Sequence, residues 1–178
     1  MASDIFLLDT NVISNASKRV PHPRVAAWLA AQETVAIPFA ALVEMECGIS
    51  EKNRTDPKKA AALWTWLDDI LQTRFEYPAL TPPVARILGR MMCCRDLTHL
   101  WMSSSERKRP GQDLTIAAMA IIYGMPIATL DTGDFAHINR YFTLPGVFNP
   151  AFSSWAVSMS ASEGIAHSSP DSANLFVA

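Results

Sequence analysis

The chain reads as an α/β protein, a three-layer α/β/α sandwich on a small parallel sheet, and three observations lead there. Residues 5–8 (Ile5, Phe6, Leu7 and Leu8) form a continuous apolar run, as strands do when a parallel sheet is covered on both faces. Residues 127–130 read as a second buried strand of the same kind. Residues 58–71 and 84–94 carry Leu63, Leu67, Ile70 and Leu71, then Val84, Ile87, Leu88 and Met91, at helical spacing. Each such helix has an apolar face that needs a partner, and strands alternating with helices supply one in layers around a sheet.

The other elements follow in chain order. Residues 25–31 read as a short helix entered through Pro21 and Pro23, and residues 34–37 as a strand stopped by Pro38. Residues 40–49 are helical by composition, and Phe75, Tyr77 and Leu80 suggest a brief strand over 75–80. Residues 103–111 form a polar, basic loop. The helix over 113–123 stops at Gly124, with Pro126 beyond it. After an apolar patch over 142–148 the composition turns to Ser and Ala. We therefore expect one domain over 1–152 and a mostly disordered tail over 153–178.

Composition narrows the function classes. A chain of 178 residues with 49% hydrophobic side chains can bury one proper core. With 15 basic and 17 acidic residues the net charge is −2, so no global field draws it onto nucleic acid, and any such attraction must be local. Cys47, Cys93 and Cys94 fit neither a disulfide framework nor a zinc site, which points to a reducing cytoplasm. The start of the chain lacks the pattern of a signal peptide, and no apolar run approaches membrane-spanning length. His22, His99, His137 and His167 show no metal-binding spacing.

The chemistry therefore rests on acids. In parallel α/β sheets, sites form at the carboxyl ends of strands, where loops converge and helix N-termini point inward. Asp9 follows the first strand, Asp131 follows the strand over 127–130, and Asp113 opens the helix that feeds it. Singly, each could be a helix cap contributing about 1 kcal/mol, and Asp134 could be a first-turn acid. Glu44 is different, because Ala40, Ala41, Cys47 and Gly48 surround it at helical spacing and that is not a solvated face. Two buried carboxylates ~4 Å apart repel by about 4 kcal/mol at an effective dielectric of 20, so a cluster needs neutralising. No Lys or Arg adjoins Asp9, Glu44 or Asp131 in sequence, and an all-oxygen set suits Mg2+, with Mn2+ as a substitute.

These residues resemble the PIN domains, in particular the VapC-type toxins of toxin–antitoxin pairs. Residues 7–14, from Leu7 through Asp9, Thr10 and Asn11 to Ser14, look like that family's opening strand and first acid. Residues 41–49 resemble its second-acid helix, with Glu44 rather than Glu46 in the acid position. Residues 113–118 and 128–135 resemble its third and fourth motifs, and the order fits from Leu7 to about Pro150.

The resemblance implies a Mg2+-dependent endoribonuclease that forms a homodimer and is restrained by a cognate antitoxin. It further implies Asp9, Asp113 and Glu44 as ligands, with Thr10, Asn11 and Thr129 in support. The fourth acid stays shared between Asp131 and Asp134, with Asp134 favoured. Arg107, Lys108 and Arg109 lead into Asp113, where they could touch RNA phosphate, although such a run is more often a solvated loop. Two rivals remain. A haloacid-dehalogenase-like phosphatase needs an acid where this chain has Asn11, and a catalytically silent PIN-fold interaction module would keep the fold without the reaction.

Overall fold

The run at residues 5–8 becomes the strand β1 (Phe6–Leu8), and its neighbours explain its apolar character. In the computed structural model of the chain, which describes residues 5–73, 75–102 and 111–159, β1 lies between two parallel partners. On one side is β2 (Val35–Ala36), with Leu7 opposite Ala36. On the other is β3 (Ile127–Ala128), with Leu8 opposite Ala128, so the expectation that the two strands run parallel holds. Next come β4 (Val147–Asn149), also parallel, and β5 (Ser154–Val157), antiparallel, giving the order β2-β1-β3-β4-β5.

Alternate strand residues serve opposite faces, and the two faces carry separate cores. Leu7, Ala36 and Ile127 join one cluster with Val84, Met91, Leu114, Phe135 and Ile138. Leu8, Val35 and Ala128 join the other with Val12, Val25, Met45 and Leu67. The first layer is made by α5 (Pro82–Met92), α7 (Asp113–Tyr123) and α8 (Thr132–Ile138), with the short α6 (Thr98–Trp101) beside them. The second is made by α1 (Thr10–Ala16), α2 (Pro23–Ala30) and α4 (Pro57–Leu71). The second layer also includes α3 (Phe39–Asn53), through Ala41, Met45 and Ile49, while its Ala40 reaches the first core.

Local chemistry sets the helix ends. Asp56 caps α4 by accepting from the Lys59 N–H at 3.0 Å, with Pro57 in the first turn. Gly124 ends α7 at φ 65, a left-handed geometry that glycine adopts without a Cβ penalty. Among the described residues no helix is long and apolar enough to cross a membrane.

Two expectations need correction. The strand expected over 75–80 shrinks to a single parallel bridge between Glu76 and Ala36, flanked by Glu76 N–H to Val35 O at 3.0 Å and Ile37 N–H to Glu76 O at 2.8 Å. Pro78 has no N–H with which to extend the ladder. The stretch from 153 onward is not tail throughout, because β5 adds a strand to the sheet. Trp155 fixes it by packing on Phe148 and Phe6, with ring centroids at 5.0 and 5.8 Å. The basic run Arg107, Lys108 and Arg109 and the remainder of the expected tail, residues 160–178, lie outside the described residues.

This hairpin depends on a glycine. A Cβ on Gly146 would stand 2.8 Å from Trp155 Cζ3 and 3.3 Å from Met159 Cγ. The Trp155 ring packs on both Phe6 and Phe148, so moving it aside would give up those contacts. Gly146→Ala should therefore destabilise the protein by about 1–3 kcal/mol in chemical denaturation, with altered Trp fluorescence in the native baseline. Wild-type stability in that variant would show that Trp155 is free to move.

Candidate active site

The first acid is placed by strand order. The Asp9 N–H donates to Ala128 O at 2.9 Å, continuing the β1–β3 ladder, and the side chain emerges at the carboxyl edge only 6% exposed. There the buried Thr129 hydroxyl donates to Asp9 Oδ2 at 2.7 Å. Two other groups fix the direction of that donation. The Asp131 N–H and Asn11 Nδ2 donate to Thr129 Oγ1 at 3.0 and 3.1 Å, and of the two acceptors within reach of the single hydroxyl proton, Asp9 Oδ2 at 2.7 Å is nearer than Asp131 O at 3.1 Å, so the carboxylate takes it.

Asn11 can do this because its other amide atom is committed. Its Oδ1 accepts the Leu130 N–H at 2.9 Å, so α1 is tied to the loop after β3. Asn149, at the end of β4, extends the tie by donating from Nδ2 to Leu130 O at 3.3 Å. Nothing in the sequence singled out Asn149. The Asn149-Pro150 pair after an apolar patch was its only signal, and that signal reads as a turn.

Glu44 reaches the same edge from α3. It is half-buried, and Thr10 Oγ1 donates to its Oε2 at 2.5 Å, which joins α1 to α3 through a short charge-assisted bond. Glu46 is exposed and accepts from Trp64 Nε1 at 3.0 Å, so it is engaged with α4 instead. Thr10, Asn11 and Thr129 thus all bond within the cluster.

The remaining acids lie at helix starts. Asp113 is half-buried in the first turn of α7. Asp131 is the N-cap of α8, its Oδ1 accepting the Gly133 N–H at 3.3 Å, and Asp134 follows half-buried in the first turn. The capping reading of Asp131 is therefore correct, yet its charge also bears on Asp9.

That pressure is visible in the proton affinity of Asp9, which burial pushes from 3.8 to about 6. The Thr129 hydroxyl and the Thr10 N–H oppose the rise, while the charges of Glu44 and Asp131 add to it. Among the described residues no group of three or more His, Cys, Asp or Glu side chains stands close enough together, as placed, to hold a metal ion. The donor chemistry still fits a hard cation, since Asp9, Glu44 and Asp131 offer oxygen alone and the pressure of the other two charges on Asp9 is what such an ion offsets.

The sequence pattern of the PIN domain matches residues 6–141. The chain belongs to the PIN-domain family. Ribonuclease VapC14 from Mycobacterium tuberculosis is 46% identical over 71 residues, a match spanning 36% of this chain and 64% of that protein. Plasmid stability protein StbB from Pseudomonas syringae pv. tomato is 31% identical over 136 residues, covering 74% of this chain and 91% of that one. Among solved structures, FitAcB from Neisseria gonorrhoeae superposes with a TM-score of 0.58 at 29% identity, covering 82% of this chain and 98% of that chain. VapBC2 from Rickettsia felis, at 23% identity and a TM-score of 0.59, covers 85% and 98% and shares the fold. The three-layer α/β/α reading is thus the PIN architecture.

The raised Asp9 gives this PIN domain a pH-dependent stability. The folded state holds the Asp9 proton more tightly than the unfolded chain does. The stabilisation is full below about pH 4 and is lost as pH climbs through about 6. The loss amounts to roughly 3 kcal/mol. In chelator, Asp9→Asn should be more stable than wild type above pH 6 by up to that amount and indistinguishable from it near pH 3.5. A stability difference that does not vary with pH would contradict the burial origin of the shift.

Proposed function

We propose that this PIN domain is a divalent-cation-dependent endoribonuclease and the toxin of a toxin–antitoxin pair. The observation that carries the reading is Asp9, a buried carboxylate locked by a neutral hydroxyl and crowded by two other acids at the carboxyl edge. The relatives named for ribonuclease activity and plasmid stability support it, and Mg2+, or Mn2+ in its place, fits the oxygen donors.

In this reading Asp9, Asp113 and Glu44 hold the ion, with Asp131 or Asp134 completing the set. A bound Mg2+ supplies Lewis acidity toward a phosphate oxygen and lowers the pKa of attached water. Thr129 keeps Asp9 in one rotamer, and Thr10 does the same for Glu44, so the carboxylates are oriented before substrate arrives. Glu44 or Asp134 orients the attacking water. The N-terminus of α7 directs its partial positive charge toward the edge that Asp113 occupies.

The phosphatase rival loses further ground, since Asn11 occupies the second-acid position and its side chain is committed to Leu130 and Thr129. The partners of this reading are single-stranded RNA, a small antitoxin protein and a second copy of the chain, all in the cytoplasm.

Asp113→Asn should abolish cleavage of RNA, a loss of at least about a hundredfold, with an unchanged melting temperature and circular dichroism spectrum. EDTA should remove wild-type activity, and Mg2+ or Mn2+ should restore it. Cleavage that survives EDTA, or an unimpaired Asp113→Asn, would sink the assignment. Cation binding with no cleavage of any RNA would revive the silent interaction module.

A further inference from the structure

The β4–β5 hairpin displays an aromatic ring beside the acid edge, and this is not what a turn requires. Turn tips favour Gly, Asn, Asp or Ser, which suit the backbone and water. Here Phe152 is 72% exposed, and Ser153 after it takes φ 52, the left-handed region that brings β5 back antiparallel. A large apolar side chain held in water by a strained turn breaks a local rule without a gain in packing among the described residues.

The tip is also anchored to the site. The Ala151 N–H donates to Asn149 Oδ1 at 2.9 Å, and the same Asn149 holds Leu130 O, next to Thr129 and Asp131. The Phe152 N–H donates to Asn149 O at 3.3 Å. Asp9 and the end of β4 are separated by β3 alone, two strand spacings or on the order of 10 Å. From α2, the exposed Arg24 donates through Nη1 to Ala151 O at 3.5 Å, which places a guanidinium against the tip with most of its donors left over among the described residues. Trp155 and Gly146 hold the hairpin from below.

We propose that Phe152 and Arg24 form a substrate-reading platform. Phe152 stacks on an unpaired base flanking the scissile phosphate, and Arg24 contacts the phosphate beside that base. Single-stranded RNA is recognised by this combination, with bases splayed onto aromatic rings and the backbone held by cations. The chain's net charge of −2 makes a local device of this kind necessary. The inference rests on the nuclease reading above and adds to it the residues that position the substrate.

The test uses fluorescein-labelled ten-nucleotide single-stranded RNAs of uniform sequence, with affinity read by anisotropy in an Asp113→Asn background and cleavage read in the wild-type background. Phe152→Ala and Arg24→Ala should each weaken RNA binding and raise KM about tenfold. The cleavage rate at saturating RNA should stay within about twofold of wild type. Phe152→Tyr and Phe152→Trp should bind as wild type, whereas Phe152→Leu should behave as Phe152→Ala, because it keeps apolar surface and loses the ring face. Unchanged affinity in Phe152→Ala, or Leu performing as well as Tyr, overturns the platform. So does a Phe152→Ala that dissociates in sedimentation while binding RNA normally, which would make the ring a protein contact. If wild type cleaves neither these RNAs nor total cellular RNA but Phe152→Ala still loses affinity for the oligonucleotides, the nuclease reading fails and the platform stands.

Discussion

Asp9 stands beside the central strand's carboxyl end with almost none of its surface in water, and among the described residues its side-chain donor is the uncharged Thr129 hydroxyl. A carboxylate in that position resists ionisation, as its affinity for a proton near pH 6 shows. Keeping it in place demands a neighbour that is itself fixed. Thr129 is fixed because it lies on β3, its hydroxyl receives two N–H donors, and one of those donors, Asn11, is braced against the Leu130 backbone. The sheet order therefore does more than bury Leu7 and Leu8, because it brings residues 120 apart in sequence to within one hydrogen bond.

The two apolar cores make that alignment rigid. Leu7 and Leu8 point to opposite faces and join separate clusters, so β1 cannot slip by one residue without exchanging its whole side-chain set. A slip would also carry Asp9 away from Thr129. Packing of α7 reinforces the arrangement, since Leu114 and Ile116 to Ala120 are all buried and Asp113 is held at its first turn. Stability and site geometry are in this sense one constraint.

The sequence disclosed most of this where a residue's neighbours along the chain determine its environment. The strand at residues 5–8, the helix that ends at Gly124, and the unsuitability of the surroundings of Glu44 for a solvated face are all local patterns, and the structure agrees with each. Where partners come from far along the chain, the sequence was mute. The bond between Thr10 and Glu44, the Asn11 brace and the Asn149 link depend on register between distant elements. The strand β5 was hidden for another reason: its composition is that of a loop, and aromatic stacking of Trp155 on Phe6 and Phe148 overrides that propensity. Conversely, Pro78 cut short a strand that the aromatic spacing of Phe75 and Tyr77 had suggested.

A consequence follows from the chemical kind of these supports. Among the described residues no Lys or Arg holds Asp9 or Glu44; had one done so, a divalent ion would have to displace a cation that was already paired. Hydroxyl donors orient the oxygens while leaving the negative charge in place. The charges of Glu44 and Asp131 then still press on Asp9, adding to the larger cost of its burial. Any hard cation that binds relieves it, so part of the binding energy is already stored in the fold. The same logic suits the proposed placing of substrate recognition on a neighbouring hairpin: a positive group inside the acid cluster would quench it, whereas on that proposal Arg24 and Phe152 would attract RNA from outside without weakening the acids' hold on a cation.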